Sequence, residues 1–125
     1  MVLYRRSFPQ GLAFVAGHGE GGENPEVSLR REVLEESGII VKKYELVLHQ
    51  TFKNPCSKGF GSHEWWVYDI SEWEGEPRVC DPDRHDFVKF MSSEEIRSYV
   101  GRNDVDPAWG MFIWPALSQL PHFAF

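Results

Sequence analysis

Three glutamates, Glu32, Glu35 and Glu36, stand at i, i+3 and i+4. On an α-helix, where successive residues turn by about 100°, that spacing gathers three carboxylates onto one face. Like charges so placed repel by a few tenths of a kcal/mol per pair in water, and more where solvent is excluded. Nothing in helix propensity asks for such a stack. A divalent cation that prefers hard oxygen ligands removes the repulsion, and Mg²⁺ binds through one or two carboxylates together with substrate phosphates and water. A solvated acidic face without function is the bland reading of the same residues, so the weight falls on what precedes them.

Upstream lies a glycine-rich loop, Gly17 to Glu23. From Gly17 the order is five residues, Glu23, seven residues, then Arg31-Glu32-Val33-Leu34-Glu35-Glu36-Ser37-Gly38-Ile39. This matches every fixed or restricted position of G-x5-E-x7-R-E-U-x-E-E-x-G-U, with U aliphatic, and it resembles the signature of the Nudix hydrolases. Two rival readings of the loop fail. Gly17-x-Gly19-x-x-Gly22 spells a dinucleotide fingerprint, but Glu20 and Glu23 would face a pyrophosphate without a metal, and the chain is short for that fold. A P-loop needs Gly-Lys-Ser/Thr, whereas Gly22 precedes Glu23.

The resemblance implies an α/β fold, a Nudix-type α/β/α sandwich with a mixed β-sheet, in one domain spanning 1–125. It implies attack by water on a diphosphate linkage of a nucleoside diphosphate derivative, either a nucleoside triphosphate or an ADP-ribose-like nucleotide sugar, with Mg²⁺ or Mn²⁺ as cofactor. Glu32, Glu35 and Glu36 match the family's catalytic metal-ligand positions, and the carbonyl of Ala16 matches a backbone ligand. Gly17 and Gly22 allow a tight loop, Glu23 and Arg31 pair to hold it against the helix, and Gly38 ends that helix. A non-catalytic nucleotide-binding sensor that kept the fold is the alternative, against which the intact carboxylate set speaks.

Other residues carry weaker signals. Nudix enzymes often recruit a further acid from a later loop, for which Glu64, Asp81, Asp83 and Asp86 are the candidates. Arg5, Arg6 and His18 are candidate phosphate contacts, and Phe14, Phe52, Trp65 and Trp66 candidate stacking surfaces. Trp65 and Trp66 alternate along a strand, so only one of them can face a given pocket. Pro55 stands sixteen residues beyond Ile39, a spacing found in ADP-ribose-cleaving members; the same Asn54-Pro55 pair also reads as a turn. His49, His63, His85 and His122 show no zinc spacing and read as structural or surface residues.

These residues must be positioned by a small set of elements. Met1 to Arg6 and Gly11 to Ala16 read as strands. Asn24-Pro25 opens a helix with Asn as N-cap and Pro at the first helical position, running to Ser37 before Gly38. Leu29 and Val33 flank the acidic face on one side and Val27 and Leu34 on the other, so both flanks are expected to be gripped. Ile39 to Phe52 is a long strand, Lys53 to Ser62 a loop, Glu64 to Ile70 and Asp86 to Met91 further strands. Ser92 and Glu95 have capping-box spacing before a helix closed by Gly101, and Pro107 to Phe125 reads as short helical turns.

With 125 residues, 42% hydrophobic and 26% charged, the chain has the composition of one globular domain. Thirteen basic against nineteen acidic residues give a net charge of −6, which disfavours nucleic-acid polymers and anionic membranes as partners. Two cysteines and no signal or membrane-spanning pattern place it in the cytoplasm by expectation. Only sixteen residues precede Gly17, so the first strand usual in the family is expected to be missing. The sheet edge so exposed predicts a homodimer.

Overall fold

The computed structural model describes residues 1–7, 9–17, 22–56 and 59–121, with the side chains of 54–60 outside the description. Strand β1 (Val2–Arg5) is the centre of a three-stranded sheet, antiparallel to β2 (Gly11–Phe14) on one side and to β5 (His85–Lys89) on the other. The ladders are antiparallel. Among the described residues, the parallel part of the expected mixed sheet is the bridge Leu12–Val105, closed by Leu12 N–H to Asp104 O and Asp106 N–H to Leu12 O. That segment therefore covers part of the β2 edge.

Helix α1 (Pro25–Ser37) forms as its caps dictate. The Asn24 side chain accepts a hydrogen bond from Glu26 N–H, and Gly38 adopts φ 76°, a left-handed conformation that spares glycine the Cβ penalty. One flank packs: Val33 is buried with Ile39 and Val41, and Leu29 joins them, each fully buried aliphatic side chain contributing roughly 1.5–3 kcal/mol. The other flank does not. Val27 and Leu34 are 55% and 50% exposed, so the expected grip on both sides is corrected to one among the described residues.

Strands β3 (Ile40–Cys56) and β4 (Gly59–Glu74) form a long antiparallel ribbon. The loop expected over Lys53 to Ser62 is instead continued ladder, with Lys53 opposite Ser62 and Pro55 opposite Phe60. Each strand of a two-stranded ribbon has a free edge, which tolerates Pro55. At the other end β4 runs past Ile70 to Glu74. Helix α2 (Ser93–Gly101) begins in a complete Ser92/Glu95 capping box. The tail supplies a wide π-type turn (Trp109–Ile113) and a short helix α3 (Trp114–Leu117).

The larger core lies between the sheet (Val2, Leu3, Leu12, Val88), Ile96 of α2 and the tail's Trp109, Ile113, Trp114 and Leu117. The ribbon docks on it through Trp65, whose ring meets Trp109 edge-on at 5.4 Å, and through Phe52 against Phe112. No helix among the described residues is long and apolar enough to cross a membrane.

Candidate functional site

The site is built where the end of β2 meets α1. Arg31, on the helix, donates Nε to Glu23 Oε2 (2.9 Å) and Nη2 to Glu23 Oε1 (2.8 Å), a bidentate clamp that ties the loop to the helix. Its Nη1 reaches Glu32 (2.9 Å) and Glu35 (3.2 Å). Gly22 turns the chain into this clamp with φ 77°. Gly17 lies against the Glu32 carboxylate so closely that a Cβ there would fall on it. This contact brings the Ala16–Gly17 backbone beside the acids.

The three glutamates are not equivalent. Glu32 and Glu36, one helical turn apart, both line the same cleft, and the charge of Glu32 acts on Glu36. Glu35, its side chain 57% exposed, turns toward Arg31 instead. Among the described residues no group of three or more His, Cys, Asp or Glu side chains gathers closely enough to hold a metal ion. Glu36 is pushed up to about 8, first by burial and then by the neighbouring Glu32 charge, against the opposing pull of Arg84 and Arg5. Burial also raises Glu32, with Arg31 acting the other way. Two carboxyl groups one helical turn apart in a partly desolvated spot form a donor set that a hard divalent cation fits. Mg²⁺ takes one or two carboxylates and completes its shell with water and phosphate.

A cleft of about 1280 Å³ opens over this pair. Arg5 and Phe14, candidate substrate contacts, line it, and so do Ala16 and Gly17. Phe14 also packs edge-on to Trp109 (5.2 Å) and Trp114 (5.7 Å), so it is part of the wall. Trp65 and Trp66 both line the cleft, against the expectation that only one could; Trp65 meets Trp109, and Trp66 stacks on His49 at 4.7 Å.

Other expected residues go elsewhere. Arg6, a candidate phosphate contact, pairs with Asp86 (3.1 Å) and donates to the Pro82 carbonyl, outside the cleft lining. Its neighbour Arg5, the last residue of β1, lines the cleft. His18 and the side chain of Pro55 lie outside the described residues. Of the four candidate later acids, Glu64 lines the cleft and is bonded to His49 at 2.6 Å, whereas Asp81, Asp83 and Asp86 do not line it.

Asp106 and Arg84 also line the cleft, and neither is among the candidates read from the sequence. Asp106 is 3% exposed; its Oδ1 accepts from Ala108 N–H (2.8 Å), and its Oδ2 lies 3.8 Å from Arg5 Nε. Burial raises its pKa, against the Ala108 N–H, Arg5 and Trp109 N–H. The signal was present: Asp106-Pro107 is a helix opening, with Asp as N-cap and Pro just inside. Arg84 stands in the same loop as Asp81, Asp83 and Asp86.

The comparisons with known proteins agree with this geometry. Residues 1–109 match the family model described as NUDIX domain. An 8-oxo-dGTP diphosphatase of Haemophilus influenzae is 36% identical over 75 residues, covering 60% of this chain and 52% of that protein. The chain thus spans about half the length of this curated relative. A crystal structure of a MutT NUDIX hydrolase from Burkholderia pseudomallei superposes with a TM-score of 0.60 at 26% identity, covering 70% of this chain and 67% of the other. With the loop–helix clamp, the sandwich of sheet and helices and a family match over most of its length, the chain belongs to the Nudix family.

Proposed function

We propose that this chain hydrolyses a phosphoanhydride bond of a nucleoside diphosphate derivative, with Mg²⁺ or Mn²⁺ as cofactor. The observation that carries the reading is the Glu32–Glu36 pair at the base of a cleft walled by aromatic rings. Glu32 and Glu36, with the Ala16 carbonyl beside them, would hold the metal. Glu35 supplies the third carboxylate, since an exposed ion pair such as that with Arg31 is weak and exchangeable. When bound, the metal polarises phosphoryl oxygens, lowers the pKa of water and offsets developing charge.

The chain's own part is positional. Arg31 and Glu23 fix the loop so that the Ala16–Gly17 backbone stays against Glu32. A cleft carboxylate, one of the three or Glu64, takes the proton as water oxygen bonds to phosphorus and the bridging P–O bond breaks, leaving two phosphorylated products. Phe14, Trp65 and Trp109 present ring surface on which a base can lie. The relative's name carries 8-oxo-dGTP, so nucleoside triphosphates, oxidised ones included, are the first substrates to try, with ADP-ribose beside them.

The test is phosphate release from that panel with Mg²⁺, coupled to a phosphatase, for wild type and Glu36→Gln. Turnover on one class, reduced about a hundredfold or more in the variant, supports the reading; outer partners of a metal site alone are worth 10- to 100-fold. Turnover untouched by Glu36→Gln overturns the carboxylate assignment. Nucleotide-dependent thermal stabilisation without any turnover would favour a binding module.

A further inference from the structure

The cleft floor is acidic, and a nucleotide's phosphate chain brings several more negative charges to it. A divalent ion offsets part of that charge; the rest needs cations from the protein. Three arginines line the cleft: Arg5, Arg31 and Arg84. Arg31 is committed to Glu23, Glu32 and Glu35. Arg5 stands by Asp106 at 3.8 Å. Arg84 forms no ion pair with any carboxylate among the described residues, and its side chain is exposed.

The turn that carries Arg84 is well anchored. Arg84 N–H donates to Asp81 O (3.1 Å), His85 N–H donates to the same carbonyl (3.0 Å), and Arg84 O accepts from Arg6 N–H (3.0 Å). This turn keeps its aspartates off the cleft. Asp86 is held by Arg6 at 3.1 Å, and neither Asp81 nor Asp83 lines the cavity. The loop from which an extra acid was expected therefore delivers a cation.

We propose that Arg84 binds the phosphate chain of the substrate, its guanidinium fork taking non-bridging oxygens on the side of the cleft facing Glu36. The fork matches two phosphate oxygens at once, and an uncommitted guanidinium breaks no existing ion pair to do so. Independently, the Arg84 charge already acts on Glu36, more strongly than that of Arg5, so it lies within electrostatic reach of the metal-holding pair. The inference rests on the reading above only in requiring that the cleft take a phosphorylated nucleotide.

The experiment is calorimetric titration, with Mg²⁺, of the α,β-imido analogue of dGTP, whose P–N–P linkage resists hydrolysis, and of dGMP. The proteins are wild type, Arg84→Ala, Arg84→Lys and Arg97→Ala, the last removing the same charge from α2 outside the cleft lining. Expected is a loss of about ten- to hundredfold in affinity for the triphosphate analogue in Arg84→Ala, the range of a charge-assisted hydrogen bond or two. The loss for dGMP should be much smaller, Arg84→Lys should fall between, and Arg97→Ala should match wild type. Unchanged affinity in Arg84→Ala, or an equal loss for both ligands, overturns the assignment. Binding of the analogue without hydrolysis of dGTP by wild type would overturn the hydrolase reading and leave Arg84 in place. Hydrolysis with Arg84→Ala indistinguishable from wild type would do the reverse, and no binding of either nucleotide to wild type would overturn both.

Discussion

Glu36 stands one helical turn beyond Glu32 on α1, both line the cleft, and the Glu32 charge opposes ionisation of Glu36. Burial and mutual repulsion together exceed the help from Arg84 and Arg5, which is why Glu36 sits at about 8. An unfolded glutamate titrates near 4.3. The folded state therefore binds the extra proton more tightly, and its stability falls as pH rises through the window from about 4.5 to 8. The expected outcome is a Tm that declines across that range in metal-free protein, flattens in Glu36→Gln, and is restored by Mg²⁺ above pH 8. Thermal melts at stepped pH with and without Mg²⁺ check this; a metal-free Tm that rises over the window would contradict it.

Metal binding at this pair must displace that proton. Calorimetric titration of Mg²⁺ in two buffers of different ionisation enthalpy at pH 7 should show proton release approaching one per ion bound, and apparent affinity should climb with pH up to about 8. Equal heats in the two buffers would show that Glu36 holds no proton for the metal to displace.

Gly17→Ala places a methyl on the Glu32 carboxylate. The carboxylate is the end of a flexible chain and can move, so the fold should survive with Tm within a few degrees of wild type. The site should not: turnover should fall by about tenfold or more, since a displacement of about 1 Å can cost a hundredfold. Comparison of Tm with kcat separates the two effects.

Arg31→Lys keeps a positive charge but loses the two-pronged grip on Glu23. Both Arg31→Lys and Arg31→Ala are expected to lower Tm and to reduce turnover, with lysine recovering little. A Lys variant as active as wild type would show that the clamp needs only charge.

Asp106→Ala removes the acceptor for Ala108 N–H at the start of the last helical segment. A lost N-cap costs about 0.5–2 kcal/mol, so urea unfolding should shift by that amount, and Asp106→Asn, which retains an acceptor, should recover most of it. If Asn is as damaging as Ala, the charge facing Arg5 matters more than the cap.

Much of α1 and its loop was legible in the chain because its determinants are local. Asn24, Pro25 and Gly38 fix the helix ends by what each backbone can do, and the offsets from Gly17 to Ile39 set which carboxylates share a face. The nine matched positions also carried the family and the Glu23–Arg31 pairing.

What the sequence determined by itself was therefore everything decided within one helical turn or one cap. The tertiary structure decided the rest, because it depends on which distant segments meet. Asn54-Pro55 looks like a turn in isolation, yet strand pairing carries the ribbon through it to Cys56. Val27 and Leu34 are apolar, but about half of each stays exposed on that side of α1. Arg5 and Arg6 are adjacent in sequence, and the sheet sends one into the cleft and the other to Asp86. Glu35 has the spacing of a ligand, and the reach of Arg31 draws it aside. Asp106 and Arg84 join the site from segments about 70 and 50 residues beyond the α1 carboxylates, where no local spacing can announce them.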